Sequence, residues 1–455
     1  MKLRLRLASF LGNDLMQDLL RLIGGTIGGR LIALAAMPAV TRLYSPSDFA
    51  LLAVYLGLVS LFGVIASLRF DVAIPVAQGD LDAAHLLVLA LLIAASMASA
   101  WGFAAYFASE RIANLLGQPK LVPWLWLVPF GVLMAGSYSA LQFWATRTRR
   151  FGSIAMTRIT QASVGVATML GLGLAGVAPL GLLVGNMLSN GSGSLRLSLE
   201  ALQKDRALIS KITWRGLANT LKDYRRFPAY STPEALANLA GLQVPMMMVA
   251  ALAGSEAGFL LLAQQVMAAP LALLGSSVSQ VYVSRAPEEM RKGNLGDFTL
   301  IILIRLIQIG VGPIIFFGVI APILFPFIFG AEWTRSGEII AWMIPWTILQ
   351  LLASPLSMVL HVTGRQSWAA LLQITGAFLR IGAVLTVPIF LNDAYVESVI
   401  WGASLFYFVY LCVVIKTSGV FRVNRWFYKI FFSLIYVIPW VFISITVLYY
   451  WKNFT

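Results

Sequence analysis

Residues 20–78 read LRLIGGTIGGRLIALAAMPAVTRLYSPSDFALLAVYLGLVSLFGVIASLRFDVAIPVAQ, and this stretch decides the fold. It holds two long apolar runs joined by a short turn at Pro46 and Ser47. Each run approaches the roughly 20 apolar residues that a bilayer-crossing helix needs. Arg30 nevertheless lies inside the first run, and Arg69 and Asp71 stand at the far end of the second. A guanidinium at mid-membrane costs about 2.5–3.5 kcal/mol on the mildest scale, so it is retained where it faces a polar interior or a wet cavity. The stretch therefore predicts helices around a water-filled, positively charged chamber. The plainer reading is that Arg30 snorkels to the headgroups or pairs within the bundle.

Composition agrees with a membrane protein. The 455 residues are 59% hydrophobic and 11% charged, against about 25% charged in soluble domains. The fold class expected is an all-α polytopic membrane protein. The formal charge of +14 does not require nucleic acid, because Lys and Arg of such proteins collect in cytoplasmic loops beside anionic headgroups. Cys412 stands alone, which leaves no disulfide framework and no cysteine metal site. His85 and His361 read as helix-end residues rather than ligands, so neither metal nor cofactor is expected. The first 22 residues, MKLRLRLASFLGNDLMQDLLRL, start basic but reach Asp14 and Asp18 without a compact apolar core or cleavage site. They read as an uncleaved, cytoplasmic, amphipathic lead-in.

Apolar runs predict spans near 20–42, 50–68, 85–107, 123–145, 154–174 and 177–198, then 228–252, 257–283, 299–328, 337–360, 367–391 and 394–415, and last 430–451. With the N-terminus placed in the cytoplasm, 23 of the 33 Lys and Arg fall in cytoplasmic segments and 5 in outer ones. That asymmetry obeys the positive-inside rule. The expected organisation is an N-lobe of six helices (1–199), a basic linker (200–227), a C-lobe of six (228–416) and an extra C-terminal membrane segment (417–455). The linker, with seven basic residues and no Gly/Pro-rich tract, predicts an amphipathic helix rather than a loose tether. A shift of 208 residues lays Ser47-Asp48 on Ser255-Glu256 and Arg30 on Asn238, a weak trace of a parallel six-helix repeat. Transporters built from such repeats hold substrate at the repeat interface, near the midplane.

The polar residues inside spans are then Arg30, Glu234, Asn238, Arg305 and Arg380, with Arg158 a weaker member. Fixed cations outnumber acids, so a cavity lined by them concentrates an anion, and the planar guanidinium fork suits phosphate. The alternative for each is a structural pair within the bundle. Gly24, Gly25, Gly28 and Gly29 form overlapping GxxxG pairs that read as close helix packing. Pro313, Pro322 and Pro326 are expected to break the span after Arg305, and Pro345 and Pro355 to punctuate the next. Gly171, Gly173 and Gly176 spell GxGxxG but follow no strand, which rules out a dinucleotide fingerprint. No catalytic signature is present, and the outer loops are too short for one, so an enzyme is not expected.

Several runs share a resemblance. Residues 41–52 (TRLYSPSDFALL), 68–77 (LRFDVAIPVA), 223–233 (DYRRFPAYSTP), 263–266 (AQQV) with Pro270, 275–281 (GSSVSQV) and 329–333 (FGAEW) resemble, in order and spacing, the motifs of oligosaccharide flippases. These are the Wzx-type O-antigen and exopolysaccharide flippases of the multidrug/oligosaccharidyl-lipid/polysaccharide exporter superfamily. The resemblance implies two six-helix lobes around a central cationic cavity and a place in the bacterial inner membrane. It implies a substrate too, an undecaprenyl-pyrophosphate-linked oligosaccharide turned outward by alternating access for surface polysaccharide such as lipopolysaccharide. Implied partners are that lipid-linked oligosaccharide, membrane lipids, and a polysaccharide polymerase with its chain-length regulator. By position, Arg30, Arg69, Asn238, Arg305 and Arg380 are the expected substrate-binding residues, and Asp71 and Glu234 the coupling-ion candidates. A drug/cation antiporter would need acidic cavity residues instead. A membrane glycan polymerase or ligase would need a large outer loop. The apolar run after residue 428 departs from the 12- or 14-helix pattern.

Overall fold

A computed structural model describes residues 13–391 and 393–454. The lead-in expected at residues 1–22 lies, for its first twelve, outside the described residues. Among those described there is no strand, as the need to satisfy every backbone polar group inside lipid dictates. The chain divides into two compact helical units, the first ending at Gln243 and the second beginning at Val244.

The first unit starts with α1 (Asn13–Val40) and α2 (Pro46–Ile65). The turn between them is built by the residues of its motif. Ser45 and Asp48 form a reciprocal capping box, with Pro46 at the first helical position. Buried Tyr44 donates its hydroxyl to the Met169 carbonyl at 2.7 Å. Burial, with a smaller push from Asp48, raises that hydroxyl to about 12, so it stays a donor. There follow α3 (Asp80–Leu115), α4 (Leu127–Arg147), α5 (Phe151–Leu174), α6 (Leu180–Gly191), α7 (Gly193–Lys204) and α8 (Trp214–Asp223).

Helix α1 lies along α5, and the glycines decide how closely. A Cβ at Gly25 would meet the backbone of Ala155 at 2.6 Å, and one at Gly29 the Arg158 carbonyl oxygen at 2.7 Å. Gly24 faces open space. Only one of the two GxxxG registers is therefore a packing seam. The core of this unit joins Phe70, Ile74 and Leu86 with Tyr138, Trp144, Ile154, Leu197 and Leu217.

Helix α9 (Thr232–Ala253) crosses the division. The second unit continues with α10 (Glu256–Arg291), α11 (Leu295–Leu306), a π-helical stretch Ile307–Val311, and α12 (Gly312–Phe329). Then come α13 (Thr334–Ala353), α14 (Gln366–Phe390), α15 (Tyr395–Ser418), α16 (Trp426–Ser433) and α17 (Ile438–Phe454). A Cβ at Gly337 would meet the Ala321 carbonyl at 2.5 Å, which sets the approach of α13 to α12. The ring of Trp440 on α17 fills the space beside Gly312 and stacks edge-on to Phe316 at 5.7 Å.

Two expectations need correction, though the expected runs are helical. Among the described residues nine helices are, by length and composition, long and apolar enough to cross a membrane. The runs predicted near 123–145, 154–174, 177–198 and 257–283 are helices too, with more polar residues among them. Helix α5, for instance, turns Thr157 and Gln161 into the lobe, both buried. The expected proline break is misplaced. Helix α12 passes through Pro322 and Pro326 with Pro313 in its first turn, and the irregular backbone is the π stretch before them. Finally, the linker is not one helix. Its first residues complete α7, a short turn Arg206–Ile209 follows, and only Trp214–Asp223 forms a separate amphipathic helix.

Gly25→Val and Gly29→Val are each expected to lower stability by about 1–3 kcal/mol through overpacking, whereas Gly24→Ala is neutral. Thermal unfolding of the detergent-purified variants checks the contrast.

Candidate functional site

The end of the first unit that follows α2 is shaped by a sharp corner. Leu68 and Arg69 both take left-handed backbone conformations, φ 47° and 62°. Such residues cost about 1–3 kcal/mol each and persist where the surroundings over-determine them. What holds them is the short helical turn Phe70–Ala73, whose Phe70 and Asp71 are buried. Ser139 of α4 donates to Asp71 Oδ2 at 2.5 Å. Among the described residues the other carboxylate oxygen, Oδ1, has no hydrogen-bond partner, and neither does Arg69 Nε. Two opposite charges two residues apart thus each keep an unused atom.

Two turns along α4, Arg147 pins the rest of the corner. Its Nη1 donates to the carbonyls of Ala77 at 2.8 Å and Ile74 at 3.1 Å, and its Nη2 to Asp80 Oδ1 at 2.9 Å. Next along, Arg150 forms a two-pronged pair with Asp205, at 2.8 and 2.7 Å, and Trp144 Nε1 donates to the same carboxylate at 2.8 Å. This is the fork geometry that makes arginine–carboxylate pairs strong. Burial pushes the nearby Glu200 carboxyl up, but Lys204 at 2.7 Å and Arg150 at 4.0 Å outweigh it and leave the group below its ordinary value. The π-helical turn Phe227–Ser231 packs against Phe70–Ala73. The 68–77 and 223–233 motifs, distant in sequence, are therefore neighbours in space.

The remaining predicted residues lie on other helices of the two units. Glu234 and Asn238, one turn apart on α9, are both exposed. Arg30 is exposed on α1, and among the described residues it has no ion pair or hydrogen-bond partner. Arg158 donates to Gln142 Oε1 at 2.9 Å and lies 5.3 Å from the Tyr138 ring centre. In the second unit, exposed Arg305 ends α11 and donates to Gln308 at 3.1 Å, just where the π stretch begins. Arg380 is 5% exposed, with its guanidinium 4.0 Å over the Phe406 ring of α15. His85, near the start of α3 as expected, is buried. Its Nε2 accepts from the Thr213 N–H at 3.4 Å.

Sequence reasoning missed the polar groups that shape both units. Ser139, Arg147 and Asp205 carry no periodic signal. Arg335 reads as a lone outer cation, yet it reaches Glu397 at 2.6 Å and Glu256 and Glu338 at 3.2 Å each, joining the starts of α15, α10 and α13. Those acids sit in or near first helical turns, which was the available hint. Among the described residues no cluster of His, Cys, Asp or Glu suits a metal.

The two helical units, with charged residues carried on apolar helices, define a multi-pass helical membrane protein. Comparison with known proteins agrees. Residues 39–338 match the family model described as polysaccharide biosynthesis protein, and the chain belongs to that family. Among solved structures it is similar to the lipid II flippase MurJ in an inward closed conformation, with TM-score 0.67 and 14% identity over 93% of this chain and 98% of that one. A multidrug resistance MATE family transporter of the MOP superfamily, inward-facing, gives 0.64 at 14% identity over 90% and 99%. A MOP superfamily transporter from Pyrococcus furiosus Vc1, described by the reverse polarity of its binding pocket, gives 0.52 at 14% over 90% and 96%. At such identities these likenesses establish the fold. No curated protein sequence matches.

Arg147→Ala is expected to loosen residues 74–80, because it removes charge-assisted bonds worth about 1.5–3 kcal/mol. Amide exchange there should quicken at least about tenfold relative to α13 in the same protein.

Proposed function

We propose that the chain is a lipid-linked oligosaccharide flippase of the bacterial inner membrane. It moves an undecaprenyl-pyrophosphate-linked glycan from the cytoplasmic to the outer leaflet by alternating access, for O-antigen or exopolysaccharide synthesis. The observation that carries this reading is Arg30, a permanent cation on an apolar helix with no acid paired to it among the described residues. Arg69, with its free Nε, and exposed Arg305 add further fixed charge. Unneutralised guanidiniums favour a diphosphate over a cationic drug. Asn238 is the neutral hydrogen-bonding member of this set. Arg380 joins it only if α14 moves against α15, because Phe406 now covers the guanidinium. Family membership and the motif resemblance support the glycan. A polymerase and its chain-length regulator are the natural receivers of the product. Outward movement of negative charge across an inside-negative membrane is favoured by about 2.3 kcal/mol per charge per 100 mV.

A second reading, a cation-coupled drug antiporter, draws on buried Asp71 with its unpartnered oxygen and on the shared fold. In the flippase reading the same carboxylate, or Glu234, serves as the coupling-ion site.

Arg30→Ala, Arg69→Ala and Arg305→Ala are each expected to cut surface glycan by about tenfold or more, the worth of one charged phosphate contact. Protein level in the membrane should not change. Wild-type glycan export by the triple variant refutes the flippase assignment, and drug resistance conferred by the native chain without glycan export supports the antiporter.

A further inference from the structure

Cargo handling leaves the surface of α8 unexplained. This ten-residue helix carries three stripes. Leu217 and Thr220 are buried against α3, braced by the Thr213–His85 hydrogen bond and by the His85 ring seated on Gly216. Trp214, Ala218 and Leu221, at i, i+4 and i+7, form an apolar line left exposed among the described residues; Trp214 is 79% exposed. Arg215, Asn219 and Lys222 form a third line, also exposed. Residues 206–226 hold six basic residues against one acidic, and Arg225 and Arg226 are exposed as well.

The depth of the helix in the fold is informative. His85 is the sixth residue of α3, so α8 lies about 7–8 Å from that helix's start, at 1.5 Å per residue. The Arg147–Asp80 and Arg150–Asp205 ion pairs mark the same end of the lobe. An exposed indole and leucine flanked by Arg and Lys, at the level where an apolar helix begins, is the composition of a helix lying in the membrane interface. The apolar line is one residue wide, far short of the roughly 1,200 Å² that a stable protein interface buries. A second copy would bring like charges face to face.

We infer that α8 is a binding surface for anionic phospholipid. Trp214 and Leu221 enter the acyl boundary, and Arg215, Lys222 and Arg225 take headgroup phosphates. The inference is independent of the cargo, and lipid binding and glycan export can fail separately.

The test uses the full chain reconstituted in vesicles of phosphatidylcholine alone or with phosphatidylglycerol as a third of the lipid. Hydrogen exchange is read for residues 213–224, with α13 as the control for intact folding. Phosphatidylglycerol is expected to slow exchange in 213–224 about fivefold or more. The slowing should vanish near 1 M salt, where the Debye length falls to about 3 Å. It should also vanish in Arg215→Gln/Lys222→Gln and survive in Arg215→Lys/Lys222→Arg, with α13 unchanged throughout. Trp214→Ser should speed exchange in both lipids. Equal exchange with and without phosphatidylglycerol overturns the proposal. So does lipid-dependent slowing that persists in the Gln variant, and so does protection indifferent to lipid charge, which would mark a protein or a second copy as occupant.

Discussion

A guanidinium keeps its proton at every pH a membrane protein meets, so a helix that carries one into lipid must give it something other than hydrocarbon to face. This chain meets the constraint in three ways. Arg158 is turned into its lobe, onto Gln142 and the Tyr138 ring. Arg380 is laid on an aromatic face, where the ring quadrupole offsets part of the lost hydration. Arg305 folds back on Gln308 at the edge of a helical irregularity. Arg30 is the exception. The neighbouring Gly29 is pressed on the α5 backbone, so at roughly 100° per residue Arg30 points away from that seam. Its charge is therefore one that the α1–α5 packing does not use.

The same economy governs the α4–α5 end of the first unit. A corner with two left-handed residues and a buried carboxylate is unstable in isolation. Ser139 and Arg147, on the same helix, restrain it from two points, and Arg147 does so mainly by donating to main-chain carbonyls. Arg150 and Trp144 share Asp205 in the same way and fasten the chain that leaves α7. In the second unit Arg335 gathers three carboxylates from three helices. Arginines that several elements depend on thus tie one end of each unit, Arg147 and Arg150 in the first and Arg335 in the second.

Much of this was legible in the sequence. Apolar run lengths located the helices because lipid admits few other backbones. The 41–52 motif could be read through to its chemistry, since Ser45, Pro46 and Asp48 form a helix cap. The proline reading failed at Pro322 and Pro326 because a membrane helix can absorb a missing donor when its neighbours pack well, as α13 does through Gly337. Residue spacing could not show that Arg69 and Asp71 sit in a buried corner, because burial there comes from α4 and from Phe227–Ser231, far off in sequence. Nor could it separate Arg380 from Arg305. Both are lone cations in apolar runs, and only the position of Phe406 tells the covered one from the open one.

The seat of Trp440 beside Gly312 has a wider meaning. The indole occupies the volume that any side chain at position 312 would need, and it does so one residue after the π stretch ends. The last helix therefore works as a wedge at the spot where α11 gives way to α12. Should that irregular turn ever tighten or unwind, the keyhole under the ring would change shape, and α17 would feel the adjustment through Trp440.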